Sequence, residues 1–178
     1  LGLGAVISSH IAVAFDNARL YYIAITDELT KTFTKRHFRQ CIEHSFADYQ
    51  QYGNKFALLM MDLDKFKAVN DTHGHVGGDA VLKRLGDILH RSVRENDLLF
   101  RYGGEEFCVV FPGKPREECA EALEQVREGI ANYSMSIRDR ARRPTVTRNG
   151  SRKRGATRLN RSHVAVTISA GVAARSDE

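Results

Sequence analysis

No stretch of this 178-residue chain is apolar for long enough to cross a membrane, and its amino end lacks the basic start and cleavage pattern of a secretory signal. It begins without Met and in the middle of an apolar pattern, so we expect a piece of a longer protein, with a membrane segment elsewhere left open. Cysteine is scarce. Cys41, Cys108 and Cys119 have no metal-ligand spacing, and an odd, unpatterned number argues for reduced thiols and a cytoplasmic location. What the chain does have is 42% hydrophobic residues, enough for one compact domain with a core of its own.

The net charge of +5 misleads as an average. Residues 138–163 hold ten Lys and Arg against the single acid Asp139, a local +9, so the rest of the chain carries −4. The stretch 138–161 also contains Pro144 and Gly150 and few apolar residues, which predicts a loop or disordered insertion, longer than most connections inside a domain. It lacks the interleaved aromatics that stack on bases, so no nucleic-acid partner is expected.

Apolar residues recur at helical spacing from Ala5 to Ile25 with no Gly or Pro between, which predicts a nearly continuous helix. Little precedes it to pack on, so it is expected to pair with a partner helix. Thr34 is placed to cap a second helix carrying Phe38, Ile42 and Phe46. After Gly53-Asn54, the run Phe56 to Met61 reads as a strand buried on both faces at the centre of a sheet. Asp62-Leu63-Asp64 ends it, where carboxylates are candidates either for metal binding or for capping the helix that Lys65-Phe66-Lys67 begins. Residues 70–79 read as a turn-rich stretch between two helical segments, in which Asn70 and Asp79 could meet a base edge or simply shape turns. Ala80–Val93 and Pro115–Ile130 read as helices, and Val164–Val172 as a strand.

Between the apolar runs Leu98–Phe100 and Phe107–Phe111 lies Arg101-Tyr102-Gly103-Gly104-Glu105-Glu106. Two β-rich runs around Gly-Gly predict a hairpin whose glycines supply positive φ. Adjacent acids at its tip call for a counter-charge, such as a metal ion with phosphates.

Taken in order, Asp62-Leu63-Asp64-Lys65-Phe66-Lys67-Ala68-Val69-Asn70-Asp71, Gly74-His75, Gly78-Asp79 and Arg101-Tyr102-Gly103-Gly104-Glu105-Glu106-Phe107 resemble the GGDEF family of diguanylate cyclases, in its GGEEF variant, from about Thr26 to Val172. Asp27-Glu28-Leu29-Thr30 and Val166-Thr167-Ile168-Ser169-Ala170-Gly171 also match it. The resemblance implies an α+β fold, a central mostly antiparallel sheet surrounded by helices and similar to nucleotidyl cyclase and polymerase palm domains. It implies condensation of two GTP into cyclic di-GMP and two pyrophosphates, across half-sites that face each other in a homodimer. Mg²⁺, with Mn²⁺ as an alternative, would be held by Asp62, the Leu63 carbonyl, Glu105 and Glu106. Glu105 is expected to deprotonate the attacking hydroxyl, with Glu106 supporting the metal site. Asn70 and Asp79 would bind guanine with His75 at the same pocket. Phe66, Lys67, Gly103 and Gly104 would lie against the phosphates.

Arg94-Glu95-Asn96-Asp97 stands at the spacing of the family's inhibitory site, so Arg94 and Asp97 are expected to bind the product cyclic di-GMP. The basic 138–161 insertion departs from the family pattern, and the family's closing Ala-Lys-x-x-Gly-Arg segment is absent, so weak or no activity of this piece alone is an expectation. Ala14 to Tyr21 resembles the last helix of a GAF-type sensor domain, which sets residues 1–26 as a helical, signalling linker and 27–178 as a truncated GGDEF domain. An alternative function is a GGDEF module that senses GTP or cyclic di-GMP without turnover.

Overall fold

The computed structural model describes residues 2–133, 135–138 and 161–174. Helix α1 (Leu3–Ile25) leaves Ile11, Phe15 and Leu20 exposed at 63%, 73% and 64%, and meets the domain near its end, where the Tyr21 ring stands edge-on to His37. A short strand β1 (Phe33–Thr34) follows. The Thr34 hydroxyl accepts the His37 amide at 3.4 Å and caps α2 (Lys35–Tyr52), as its position predicted. Helix α2 stops at Gly53, whose φ of +71° sends its N–H back to the Tyr49 carbonyl.

Strand β2 (Phe56–Leu63) is central and buried on both faces. Ala57, Leu59, Met61 and Leu63 enter one core with Val81, Leu85 and Leu89, while Phe56, Leu58 and Met60 enter another with Phe38 and Phe100. This two-sided burial is why the run has no polar alternation. Helix α3 (Phe66–Ser92), β3 (Leu98–Arg101), β4 (Glu106–Pro112), α4 (Arg116–Ala131), β5 (Met135–Arg138), β6 (Arg161–Val164) and β7 (Ile168–Ala174) complete the order.

The main sheet runs β1-β3-β4-β2-β7, with only β1 and β3 parallel, so the expected α+β, mostly antiparallel architecture is present. Strands β5 and β6 form a separate hairpin. The basic insertion expected over 138–161 lies, apart from its two end residues, outside the described residues. Those ends, Arg138 and Arg161, are paired in register.

Two expectations need correction. The single strand read over Val164–Val172 is two: Val164 ends β6, and Ile168 starts β7 in the other sheet. The stretch from Asn70 to Asp79 is not a loop between helices. Its residues stay within α3, which changes direction at Gly74, where φ 69° and ψ 170° are open to glycine without strain. One non-helical glycine achieves the bend that a string of turn residues suggested.

Candidate active site

Strands β2 and β4 end together. Asp62 stands opposite Glu106, and Met61 opposite Phe107, in antiparallel register. Because side chains alternate, Asp62 and Glu106 share one sheet face, that of Met60 and Cys108. The Leu63 amide donates to the Glu105 carbonyl at 3.3 Å, tying the strand end to the turn. Asp62 is exposed, and among the described residues its carboxylate has no hydrogen-bonding or ionic partner. Neither Asp62 nor Asp64 caps α3. Its N-cap is Lys65, held in the left-handed region at φ 56°, with no capping side chain.

Asp64 does something the sequence did not suggest. It accepts the Thr167 and Ser169 hydroxyls, each at 2.6 Å, and its amide donates to the Thr167 carbonyl. The bonds from Ser169 and Thr167 hold its carboxyl below the ordinary range, with the Lys65 charge adding to them. Asp64 therefore fixes the start of β7 to the end of β2.

The hairpin loop spans four residues, Tyr102 to Glu105, and the Glu106 carbonyl closes it by accepting the Tyr102 amide at 2.8 Å and the Gly103 amide at 3.2 Å. Here the expectation of positive φ fails: neither Gly103 nor Gly104 has it. Gly103 matters because it has no side chain. A Cβ there would lie 2.0 Å from Glu106 Oε2, so the carboxylate occupies that space.

On the other side, α3 starts with Phe66 buried and Lys67 exposed. The Lys65 carbonyl takes the Ala68 and Val69 amides, leaving the Phe66 and Lys67 amides free among the described residues, as an anion at a helix start requires. Asn70 lies against Gly78 so closely that a Cβ there would meet Asn70 Oδ1 at 2.0 Å and Phe66 Cζ at 3.1 Å. The bend at Gly74 thus folds Gly78 and its neighbour Asp79 back toward Asn70, while His75 and Asp79 stay exposed. A cleft of about 490 Å³ opens beside Asp64 and Lys65, though Asp62, Glu105 and Glu106 do not line it.

Among the described residues no three His, Cys, Asp or Glu side chains come close enough together to hold a metal ion by themselves. Mg²⁺ takes one or two carboxylates and completes its shell with water and substrate phosphate, and Asp62, in register with Glu106 and beside the Leu63 and Glu105 backbone, could supply such carboxylates.

The Arg94–Asp97 turn lies at the opposite end of β3. Arg94 is exposed, but Asp97 is buried: its side chain is 3% exposed, forms an ion pair with Lys114 at 3.0 Å and accepts the Arg94 amide at 2.9 Å. A cavity of about 330 Å³ is lined there by Arg94, Asp97, His90, Lys31, Phe33 and Tyr22 of α1. The three cysteines are free, and burial pushes the Cys108 thiol up to about 12. No helix among the described residues is long and apolar enough to cross a membrane.

A mostly antiparallel sheet with helices around it and acids at the joined ends of its two central strands defines a palm-like α+β domain. The chain belongs to the GGDEF family, whose description reads "Diguanylate cyclase, GGDEF domain" and whose profile matches residues 24–150. It is 34% identical over 118 residues to the diguanylate cyclase DgcM of Escherichia coli K12, covering 66% of this chain and 29% of that protein. It is 32% identical over 132 residues to diguanylate cyclase A of Treponema denticola, covering 72% and 36%. The chain thus spans about a third of the length of these relatives. Among solved structures, the GGDEF domain of DgcB from Caulobacter crescentus in complex with c-di-GMP superposes with a TM-score of 0.71 at 27% identity, covering 86% of this chain and 78% of that one.

Proposed function

We propose that this chain is the catalytic module of a diguanylate cyclase that condenses two GTP into cyclic di-GMP and two pyrophosphates. The observation that carries the reading is the register of Asp62 with Glu106 at the ends of the two central strands, with Glu105 in the adjoining turn. The α3 start and the Asn70–Gly78 contact beside it support a nucleotide: amides unpaired among the described residues for phosphate, then an amide side chain and Asp79 for guanine.

Asp62, the Leu63 carbonyl, Glu105 and Glu106 would hold Mg²⁺ or Mn²⁺, and the ion would neutralise charge on the triphosphate. Phe66 and Lys67 bind phosphate, and His75 lies at the guanine end. Glu105 takes the proton from the 3′-hydroxyl as that oxygen attacks the α-phosphorus of the facing GTP, and the bond to pyrophosphate breaks. Each copy of a homodimer presents one GTP, so the same displacement runs twice. The exposed apolar residues of α1 support pairing with a second copy, under control of an upstream sensor domain. Arg94, with Asp97 shaping its turn, binds the product and restrains the enzyme.

Incubating the full-length protein with GTP and Mg²⁺ is expected to give cyclic di-GMP and pyrophosphate by mass spectrometry, and Glu105→Gln is expected to give neither. Product from Glu105→Gln at the parent rate would remove Glu105 from its role. Tight GTP or cyclic di-GMP binding with no turnover by the parent would favour a sensing module instead.

A further inference from the structure

Asp27 lies two residues beyond the end of α1, and Arg101 is the last residue of β3. Arg101 Nη1 donates to both Asp27 oxygens, at 3.2 and 3.3 Å, and Nη2 donates to the Gly104 carbonyl at 2.7 Å. One planar guanidinium therefore joins the exit of α1 to the turn bearing Glu105 and Glu106. Its Nε is buried and has no partner among the described residues, so the side chain is held through the Nη contacts.

The Asp27 end is built to stay still. Its carboxylate also accepts the Thr30 amide at 2.9 Å and the Thr30 hydroxyl at 2.7 Å, and its own amide donates to the Thr32 carbonyl at 2.7 Å. Thr30 and Thr32 are 1% and 0% exposed and share a hydrogen bond. Helix α3 presses on this turn at Gly86, where a Cβ would come within 2.8 Å of the Thr30 carbonyl. Lys31 completes the turn at φ 61°, with His90 Nε2 3.2 Å from its carbonyl. By contrast, apart from its chain neighbours no atom of the described residues lies within 4 Å of where a Gly104 side chain would begin. Among the described residues the Gly104 carbonyl is held by Arg101, and Arg101 is fixed in turn by Asp27.

We infer that Arg101 is a positioning residue: braced by Asp27 at the exit of α1, it holds the Gly103–Gly104 turn so that Glu105 and Glu106 stand at the geometry turnover requires. The inference rests on the proposed cyclase reading only for its kinetic arm.

The test uses the full-length protein and its variants Arg101→Gln, Arg101→Lys, Asp27→Asn and the Asp27→Asn/Arg101→Gln double. Amide hydrogen exchange of the peptide 98–107 in Asp27→Asn is expected to quicken about tenfold, with exchange in β2 and α4 unchanged. That arm needs no activity. In turnover, Arg101→Gln is expected to lower kcat about tenfold with KM for GTP within about twofold of the parent, as a misplaced catalytic group does. The double variant should be no slower than Arg101→Gln alone, and Arg101→Lys should recover part of kcat by keeping one contact. Unchanged exchange in 98–107 would overturn the inference, as would parent-like kcat in Arg101→Gln or losses that simply multiply in the double. A parent that makes no product would count against the cyclase reading while the exchange result still decides the brace.

Discussion

Acids of opposite kinds stand beyond the two ends of β3. At the Arg94 end, Asp97 is buried, ion-paired to Lys114 and bonded to a backbone amide, so its charge is spent on the fold. At the hairpin end, across the sheet, Asp62 is exposed with no partner among the described residues, in register with Glu106. A buried carboxylate that loses its partner leaves an uncompensated charge, whereas an exposed one costs the fold nothing to keep or remove. The same residue type therefore serves structure at one end and is left available for a ligand at the other.

The sharpest way to break this contrast is to remove each acid and read both activity and stability. Asp62→Asn is expected to lower cyclic di-GMP synthesis by at least about a hundredfold, while its urea midpoint stays at the parent value. Asp97→Ala is expected to do the reverse, keeping turnover and losing stability. It strands Lys114, which is 15% exposed, and should cost about 3–5 kcal/mol in urea unfolding. A stable Asp97→Ala, or an Asp62→Asn that unfolds early, would erase the distinction.

A smaller effect separates two glycines. Gly86 faces backbone, since a Cβ would approach the Thr30 carbonyl at 2.8 Å, and neither α3 nor the Thr30 turn can move cheaply. Gly103 faces the free end of a side chain, Glu106 Oε2. Gly86→Ala should therefore cost about 1–3 kcal/mol. Gly103→Ala should unfold within about 0.5 kcal/mol of the parent but lose activity, because the displaced group is Glu106. Differential scanning calorimetry beside a turnover assay reads both.

Much of this was legible in the sequence, for physical reasons that differ by element. The run Phe56–Met61 announced a central strand because both of its faces are buried. Thr34 announced a cap because its reach is local. What stayed hidden depends on pairs remote in sequence. Asp27 and Arg101 are 74 residues apart, and Asp64 meets its hydroxyls 103 and 105 residues on. The burial of Asp97 depends on Lys114, 17 residues away. Within the site the residue types were readable but their reasons were not: Gly103 makes room for Glu106 instead of supplying φ, and Gly74 supplies φ inside a helix instead of a loop. Residues of one type look alike in a sequence until their neighbours in space are known.

The mildest prediction concerns acid. Asp27 and Asp64 both titrate below the ordinary 3.8 when folded. For Asp27, burial pushes the pKa up, but the Thr30 amide and hydroxyl and the Arg101 charge outweigh it. For Asp64, the Ser169 and Thr167 hydroxyls lead. Between each depressed folded value and 3.8 the unfolded chain binds more protons than the folded one, so stability rises with pH across that window. The contribution is complete above the unfolded value and is lost as pH falls through the folded one. Urea midpoints from about pH 5 down to about pH 3 should therefore decline, and less steeply in Asp27→Asn and Asp64→Asn. Asp64 is the more exposed to solvent of the two, so its share should also shrink with added salt, whereas the Asp27 share, set among buried threonines, should persist. Equal salt sensitivity of the two slopes would mean that Asp27 is not braced from within.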